Sequence, residues 1–364
     1  MTFLMKHILH NAIDPLIYKL YDIEHFSYAV EMPHDKGFGD VSTNVAFLIA
    51  KKKRRVPRDI AEELAGLMQQ ADNGRVFTKV VVAGGGFINA WSREDVFARG
   101  ITDILKKKSR YGAGKKKKER VQLEFISANP TGPLTLGNGR GGFNGDTLAR
   151  VLKMAGYAVQ REYYVNDAGN QVKEVLTKSI KRELGFPIRT EEGQDIYGGG
   201  YIEYVARVIK EKKGVGWVGD HYSEVGVLAA QIILKEYIKQ DIASLGIKYD
   251  RWQSEQDFYT TKTIDKMWKF LTRRHLVYEK DGAQWLKTSE YGDSEDRVVM
   301  TQQGVFTYLM SDIAYLYDRF TTRKFDRAIV IVGADHHGYI DRWQAAAEIL
   351  GYKGKLEVIV TQLV

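Results

Sequence analysis

Between Val121 and Val165 the sequence reads as strand, helix and strand within 45 residues, an order that few folds can satisfy. Val121 to Ile126 has the character of a buried strand. Leu148, Val151, Leu152 and Ala155 then recur at helical spacing, and Gly156 fits the helix stop. Ala158 to Val165 reads as the second strand. Strands joined through a helix in this way run parallel, because the helix carries the chain back along the sheet. The pattern resumes with a strand at Ala328 to Val332, a helix at Asp341 to Leu350 and a strand at Leu356 to Val360. The expectation is an α/β fold built on a Rossmann-like parallel sheet.

The remaining chain divides by texture. Residues 1–105 read as a small α+β domain. Val45, Leu48 and Ile49, then Ile60, Leu64 and Leu67, suggest two amphipathic helices, with a basic turn from Lys51 to Arg55 between them. Thr78 to Ala83 is β-branched and apolar and runs into Gly84, Gly85 and Gly86, a strand entering a turn. Residues 106–118 hold two lysine clusters and are expected to be a basic linker, solvated or touching an RNA backbone. The sheet is expected in two halves, 119–175 and 296–364, around a mainly helical insertion at 176–295.

Composition closes off several classes. Lys and Arg outnumber Asp and Glu by 54 to 46, a net charge of +8 that suits polyanionic partners without requiring one. The absence of cysteine excludes disulfides and thiolate chemistry. No apolar run approaches the roughly 20 residues that span a bilayer, and Met1 to His10 lacks the pattern of a secretory signal. A soluble, cytoplasmic, monomeric protein is expected.

The stretch Glu124 to Arg140, E-F-I-S-A-N-P-T-G-P-L-T-L-G-N-G-R, leaves a buried strand, turns through two prolines and enters a helix. In parallel sheets ligands bind where strand ends meet helix starts, whose free N–H groups attract phosphates. Gly137 and Gly139 let backbone approach such a ligand, and Thr135 and Asn138 add neutral donors. Gly137-x-Gly139-x-x-Gly142, with Glu162 about 20 residues on, matches the dinucleotide fingerprint formally. That fingerprint needs its first glycine at the strand end, however, and here a proline-containing loop intervenes. No phosphate-binding G-x-x-x-x-G-K-[ST] occurs either, since Gly114-Lys115 is followed by Lys116. Asp335, His336 and His337 invite a metal reading, but neighbouring histidines diverge and no further Cys/His set lies nearby.

The S-x-N-P-T-G-P-L run resembles the first signature of the arginyl-tRNA synthetases. The resemblance continues through Gly145-Asp146, Gly156-Tyr157 and the block E-Y-Y-V-N-D-A-G-N-Q from Glu162 to Gln171. It returns in Tyr308 to Ala314 and in Gly333 to Gly338. Gly39 to Ala46 and Gly86 to Asn89 resemble the additional N-terminal domain of that family, which contacts tRNA. The implied fold is a class I synthetase catalytic domain with a helical insertion. One departure stands out, because Thr135 and Asn138 occupy the positions where the family usually has two histidines.

The resemblance implies ATP-dependent ligation of L-arginine to tRNA(Arg) through an arginyl-adenylate, with Mg2+ accompanying ATP. Thr135, Gly137 and Asn138 would be catalytic. Tyr308 and Asp312, four residues apart, would meet the guanidinium, with Glu124 and Asn129 at the amino-acid end. Gly139, Gly333, Asp335 and His336 would line the ATP side with Thr135, Gly137 and Asn138. Asn166, Asp167 and Gln171 could cap a helix; the resemblance makes them support for the pocket. A lysine-containing K-M-S-K-like loop and a helical anticodon domain would follow Val364, so reduced or absent activity is expected of this chain alone. The competing reading is a synthetase-like module that binds nucleotide or tRNA without catalysis, favoured by the altered signature.

Overall fold

The computed structural model describes residues 2–24, 27–188 and 196–362, in two units, residues 1–112 and 113–364. The first unit opens with the helix Thr2–Tyr21, which buries Met5, Leu9, Ile13, Ile17 and Tyr21 at fourth-residue spacing. Its four strands are β1 (Val30–Glu31), β2 (Val41–Thr43), β3 (Phe77–Ala83) and β4 (Phe87–Ser92), antiparallel in the order β1-β2-β4-β3. The expected helix pair is Val45–Lys53 and Pro57–Asp72. Lys51 to Lys53 belong to the last turn of the first helix, where lysine complements the helix dipole, so the turn proper is shorter than the basic run.

The lysine-rich stretch at 106–118 is not one separate tether. Lys106 and Lys107 end the helix Glu94–Lys107. The Gly114 and Lys117 amides donate to the Met154 and Gly156 carbonyls, each at 2.8 Å, and the Lys117 ammonium lies 3.9 Å from the centre of the Tyr157 ring. Backbone pairing and a cation–π contact decide the matter, and charge density alone did not reveal them.

The second unit holds β5 (Arg120–Phe125), β6 (Ala158–Val165), β7 (Arg251–Ser254), β8 (Val277–Lys280), β9 (Ala283–Leu286), β10 (Arg297–Met300), β11 (Arg327–Gly333) and β12 (Leu356–Thr361). Five of them form the expected parallel sheet, in the order β12-β11-β5-β6-β7. Strand order reverses beside β5, so the crevice between the C-terminal ends of β5 and β11 is where this architecture binds ligands. The stretch 176–295 carries helices such as Gly200–Lys213 and Tyr222–Ile233, but also β7 of the main sheet. Its end and the start of the following stretch make a small antiparallel sheet, β10-β9-β8. These strands are four residues each, too short for alternation to stand out in the sequence.

The helix after β5, Leu136–Met154, buries a different face from the one its leucines suggest. Gly141, Gly142, Gly145, Asp146 and Ala149 are buried, whereas Val151 is 57% exposed and Leu148 and Leu152 pack only in part. The helix lies so close to the sheet that a Cβ on Gly145 would stand 2.2 Å from the Phe125 ring. Gly145→Ala is therefore expected to cost about 1–3 kcal/mol in urea unfolding, as overpacking does. Gly141→Ala, where an added Cβ meets nothing within 4 Å, should instead gain about 0.5–1 kcal/mol of helix stability. Equal effects of the two would show that close packing does not explain the glycine face.

Candidate active site

Where β5 ends, Ile126 and Ser127 adopt φ values of +66° and +42°. A β-branched residue in the left-handed region is strained by about 1–3 kcal/mol and persists only where its surroundings enforce it. Here the Ser127 hydroxyl oxygen accepts from the Tyr164 amide at 3.0 Å, and the Ser127 amide donates to the Phe125 carbonyl at 3.0 Å. The Ile126 side chain fills the space that Gly142 leaves. The bend aims the following loop across the sheet end. Tyr163 Oη holds the Ala128 carbonyl at 2.8 Å, and Asn129 Nδ2 donates to Gln171 Oε1 at 2.7 Å.

The loop enters its helix through a reciprocal cap. Thr135 Oγ1 accepts from the Asn138 amide at 3.3 Å, while Asn138 Oδ1 accepts from the Thr135 amide and hydroxyl, both at 2.9 Å. Both oxygens thus close the helix start, and the side-chain nitrogen of Asn138, Nδ2, takes no part in the cap. Thr135 and Gly137 are exposed at this start, with the first free N–H groups of the helix.

A cavity of about 340 Å³ opens at the strand-order reversal, between the ends of β5 and β11. It brings together Glu124, Asn129, Tyr308, Asp312 and His336 from the residues singled out in the sequence, with Asn166 and Gln171 beside them. Thr135, Gly137, Asn138, Gly139 and Gly333 are not in its lining; they belong to the capped helix start and the end of β11. The side chains of Asp335 and His337 lie outside the described residues. Among the described residues no group of three or more His, Cys, Asp or Glu is arranged to hold a metal ion.

The cavity also has walls that sequence reasoning missed. Tyr315 and Arg319 share one helical face with Tyr308 and Asp312, at offsets of 0, 4, 7 and 11 residues from Tyr308. That spacing was available as a signal. Tyr339, Arg342 and Trp343 also line it with nothing local to mark them, and so does Tyr164, one of the tyrosine pair in the 162–171 block.

The pocket carries two carboxylates, Glu124 and Asp312, and two guanidinium groups, Arg319 and Arg342. Asp312 Oδ2 accepts from Trp343 Nε1 at 2.8 Å, and burial pushes its carboxyl above the ordinary aspartate value. Burial does the same to Glu124, with the adjoining Arg319 guanidinium pulling the other way. Asn166 Oδ1 is buried without a hydrogen-bond partner. Glu255, 2% exposed, accepts from Ser311 at 2.6 Å through one oxygen and leaves the other, Oε2, unpartnered. Burial, reinforced by the nearby Asp312 and Asp167 charges, pushes Glu255 up to about 7, against the pull of Ser311 and Lys173.

Parallel strands around a switch-point crevice, fed by a strained bend and a capped helix start, make up a class I synthetase catalytic fold. Residues 100–362 match the family described as tRNA synthetases class I (R), catalytic domain. Residues 4–90 match the arginyl tRNA synthetase N terminal domain. The chain belongs to the arginyl-tRNA synthetase family. An arginine–tRNA ligase of Bacillus subtilis is 39% identical over 370 residues, covering 99% of this chain and 66% of that protein. One from Carboxydothermus hydrogenoformans is 41% identical over 355 residues, covering 94% and 62%. The solved Thermus thermophilus arginyl-tRNA synthetase shares the fold, with a TM-score of 0.68 at 19% identity, over 98% of this chain and 65% of that one. The chain spans about 60–66% of the length of the curated relatives it matches.

Glu255 makes a stability prediction. Its carboxyl ionises near 4.5 in an unfolded chain but near 7 in the fold. The native state therefore binds the extra proton between those values, and stability falls as pH rises through that window. Glu255→Gln is expected to match the parent near pH 4 and to exceed it by about 3 kcal/mol at pH 8. Urea unfolding at a series of pH values checks this, and parallel profiles for the two proteins would refute it.

Proposed function

We propose that this chain serves the ATP-dependent ligation of L-arginine to tRNA(Arg), with the amino acid held in the cavity between β5 and β11. The observation that carries the reading is the chemistry of the wall. Arg319 already pairs with Glu124 and Arg342 lies on the same wall, but the half-buried Asp312 carboxylate and the orphaned Asn166 amide oxygen, set among tyrosines and a tryptophan, suit a planar cation with several donors and an aliphatic arm. A guanidinium fits that description, and an ammonium, with no plane to stack, fits it less well. Asp312 and Tyr308 would meet the guanidinium, and Glu124 and Asn129 the amino-acid end.

In the reaction the arginine carboxylate oxygen attacks the α-phosphorus of ATP. A new O–P bond forms, the α–β bridge breaks, and pyrophosphate leaves with Mg2+ as its counter-ion. The terminal ribose hydroxyl of tRNA then attacks the arginyl carbonyl and releases AMP. No protein nucleophile takes part, so positioning and donors at the developing charge do the catalytic work. Thr135, Gly137, Asn138 and Gly139 would supply those donors at the helix start, with Gly333, Asp335 and His336 on the nucleotide side. The reading places the reaction in the cytoplasm, with the chain a monomer and its first unit touching tRNA.

The alternative is a module that binds nucleotide or tRNA without catalysis. It is favoured by the cap, in which Thr135 and Asn138 use their oxygens on each other and carry no charge.

Two measurements test the proposal. Calorimetry should show L-arginine binding to the chain, weakened roughly 10- to 100-fold in Asp312→Asn, the cost of a charged acceptor. No binding, or binding indifferent to Asp312, would end the assignment of the cavity. Arginine-dependent ATP–pyrophosphate exchange with tRNA present should fall roughly 100-fold when Thr135 and Asn138 are both replaced by alanine. Exchange absent both from this chain and from a version extended by the part of the Bacillus subtilis relative that it does not span, with arginine still bound, would favour the binding module. Exchange restored by the extension would count against it.

A further inference from the structure

Glu124 on β5 and Glu162 on β6 are register partners on adjacent parallel strands, 7% and 0% exposed. Two carboxylates side by side in a low-dielectric interior repel each other strongly unless each is neutralised. The neutralising groups come from one element. The helix Tyr308–Tyr317 widens into a π-turn at Asp318–Thr322, and Arg319 and Arg323, four residues apart, reach the two glutamates. Arg319 pairs with Glu124 and Arg323 pairs with Glu162, one of the latter contacts at 2.9 Å. Asp318 meets Arg323 Nε at 2.6 Å. Tyr315 Oη donates to Glu162 at 2.6 Å and accepts from Gln122 Nε2 at 3.2 Å.

Glu162 and Arg323 do not line the cavity, whereas Tyr308, Asp312 and Arg319 on the same helical element do. The double pairing therefore holds this element against sliding or turning over β5, which carries Glu124. We infer that Glu162 is a positioning residue that sets the separation between Asp312 and Glu124, and so the length of amino acid the cavity accepts. The inference rests on the arginine-binding reading above and adds a determinant of chain length to it.

The test compares L-arginine with L-homoarginine, one methylene longer, by calorimetry on the entire chain. The parent should prefer arginine by roughly 10- to 200-fold, the usual worth of one methylene. Glu162→Gln keeps an acceptor for Tyr315 and removes one of the two carboxylates that hold Arg323, leaving Asp318. It is expected to bind arginine roughly tenfold more weakly and homoarginine about as well as before, so that the preference narrows by about that factor. A purely structural loss would weaken both ligands alike and leave the ratio unchanged, which overturns the inference. Arg323→Lys, which keeps the charge and loses the fork, is the second arm should Glu162→Gln lack a cooperative melt. It should narrow the ratio in the same direction, and parental selectivity there overturns the inference as well. A parent chain that binds no arginine sinks the underlying reading; a parent that binds, with unchanged ratios in the variants, sinks only this step.

Discussion

The pairing of two buried glutamates with two arginines at the centre of the parallel sheet is the constraint on which the second unit depends. Glu124 and Glu162 sit at adjacent register positions, Glu162 fully buried and Glu124 at the cavity wall, and two carboxylates so placed repel each other unless cations lie beside them. Removing ions from water costs several kcal/mol each, and attraction offsets this only where geometry is good. Such a network is therefore poor evidence for stability. Its geometric consequence is that the helical element is tied to β5 and to β6 at the same time. The element so placed carries Tyr308 and Asp312 to the cavity.

The opposite wall of the crevice is made by strain and close packing. Ile126 and Ser127 accept an unfavourable backbone because the Tyr164 amide and the space over Gly142 hold them there. The glycine face of the next helix lets it approach Phe125 more closely than any side chain would allow. Together these features bring a helix start and a strand end into one crevice. Thr135 and Asn138 have a double part in this arrangement. Their oxygens close the helix, and what they offer a ligand is an uncharged donor on a rigid first turn.

A further buried carboxylate, Glu255, lies outside the lining of the pocket. Glu255 lies behind Ser311, near Asp312 and Asp167, with one oxygen unpartnered. A buried carboxylate without a cation keeps its proton well above the ordinary range. Glu255 thus lowers the stability of the fold as pH rises towards neutrality.

By itself the sequence determined the parallel crossover from β5 to β6, the return of the pattern at β11 and β12, and the run from Ser127 to Asn138 that carries the family resemblance. The resemblance also put Tyr308 and Asp312, four residues apart, together. These are local facts, set by turn residues and by periodicity over a few turns, so they can be read without the fold. Tertiary structure alone decided that Glu124 meets Arg319 across 195 residues, that β7 joins the sheet edge, and that glycines rather than leucines face Phe125. It also decided that Trp343 and Tyr164 share a cavity with Asp312. Those contacts depend on how closely distant segments approach and which charges they leave unpaired, and no short window of residues encodes either quantity.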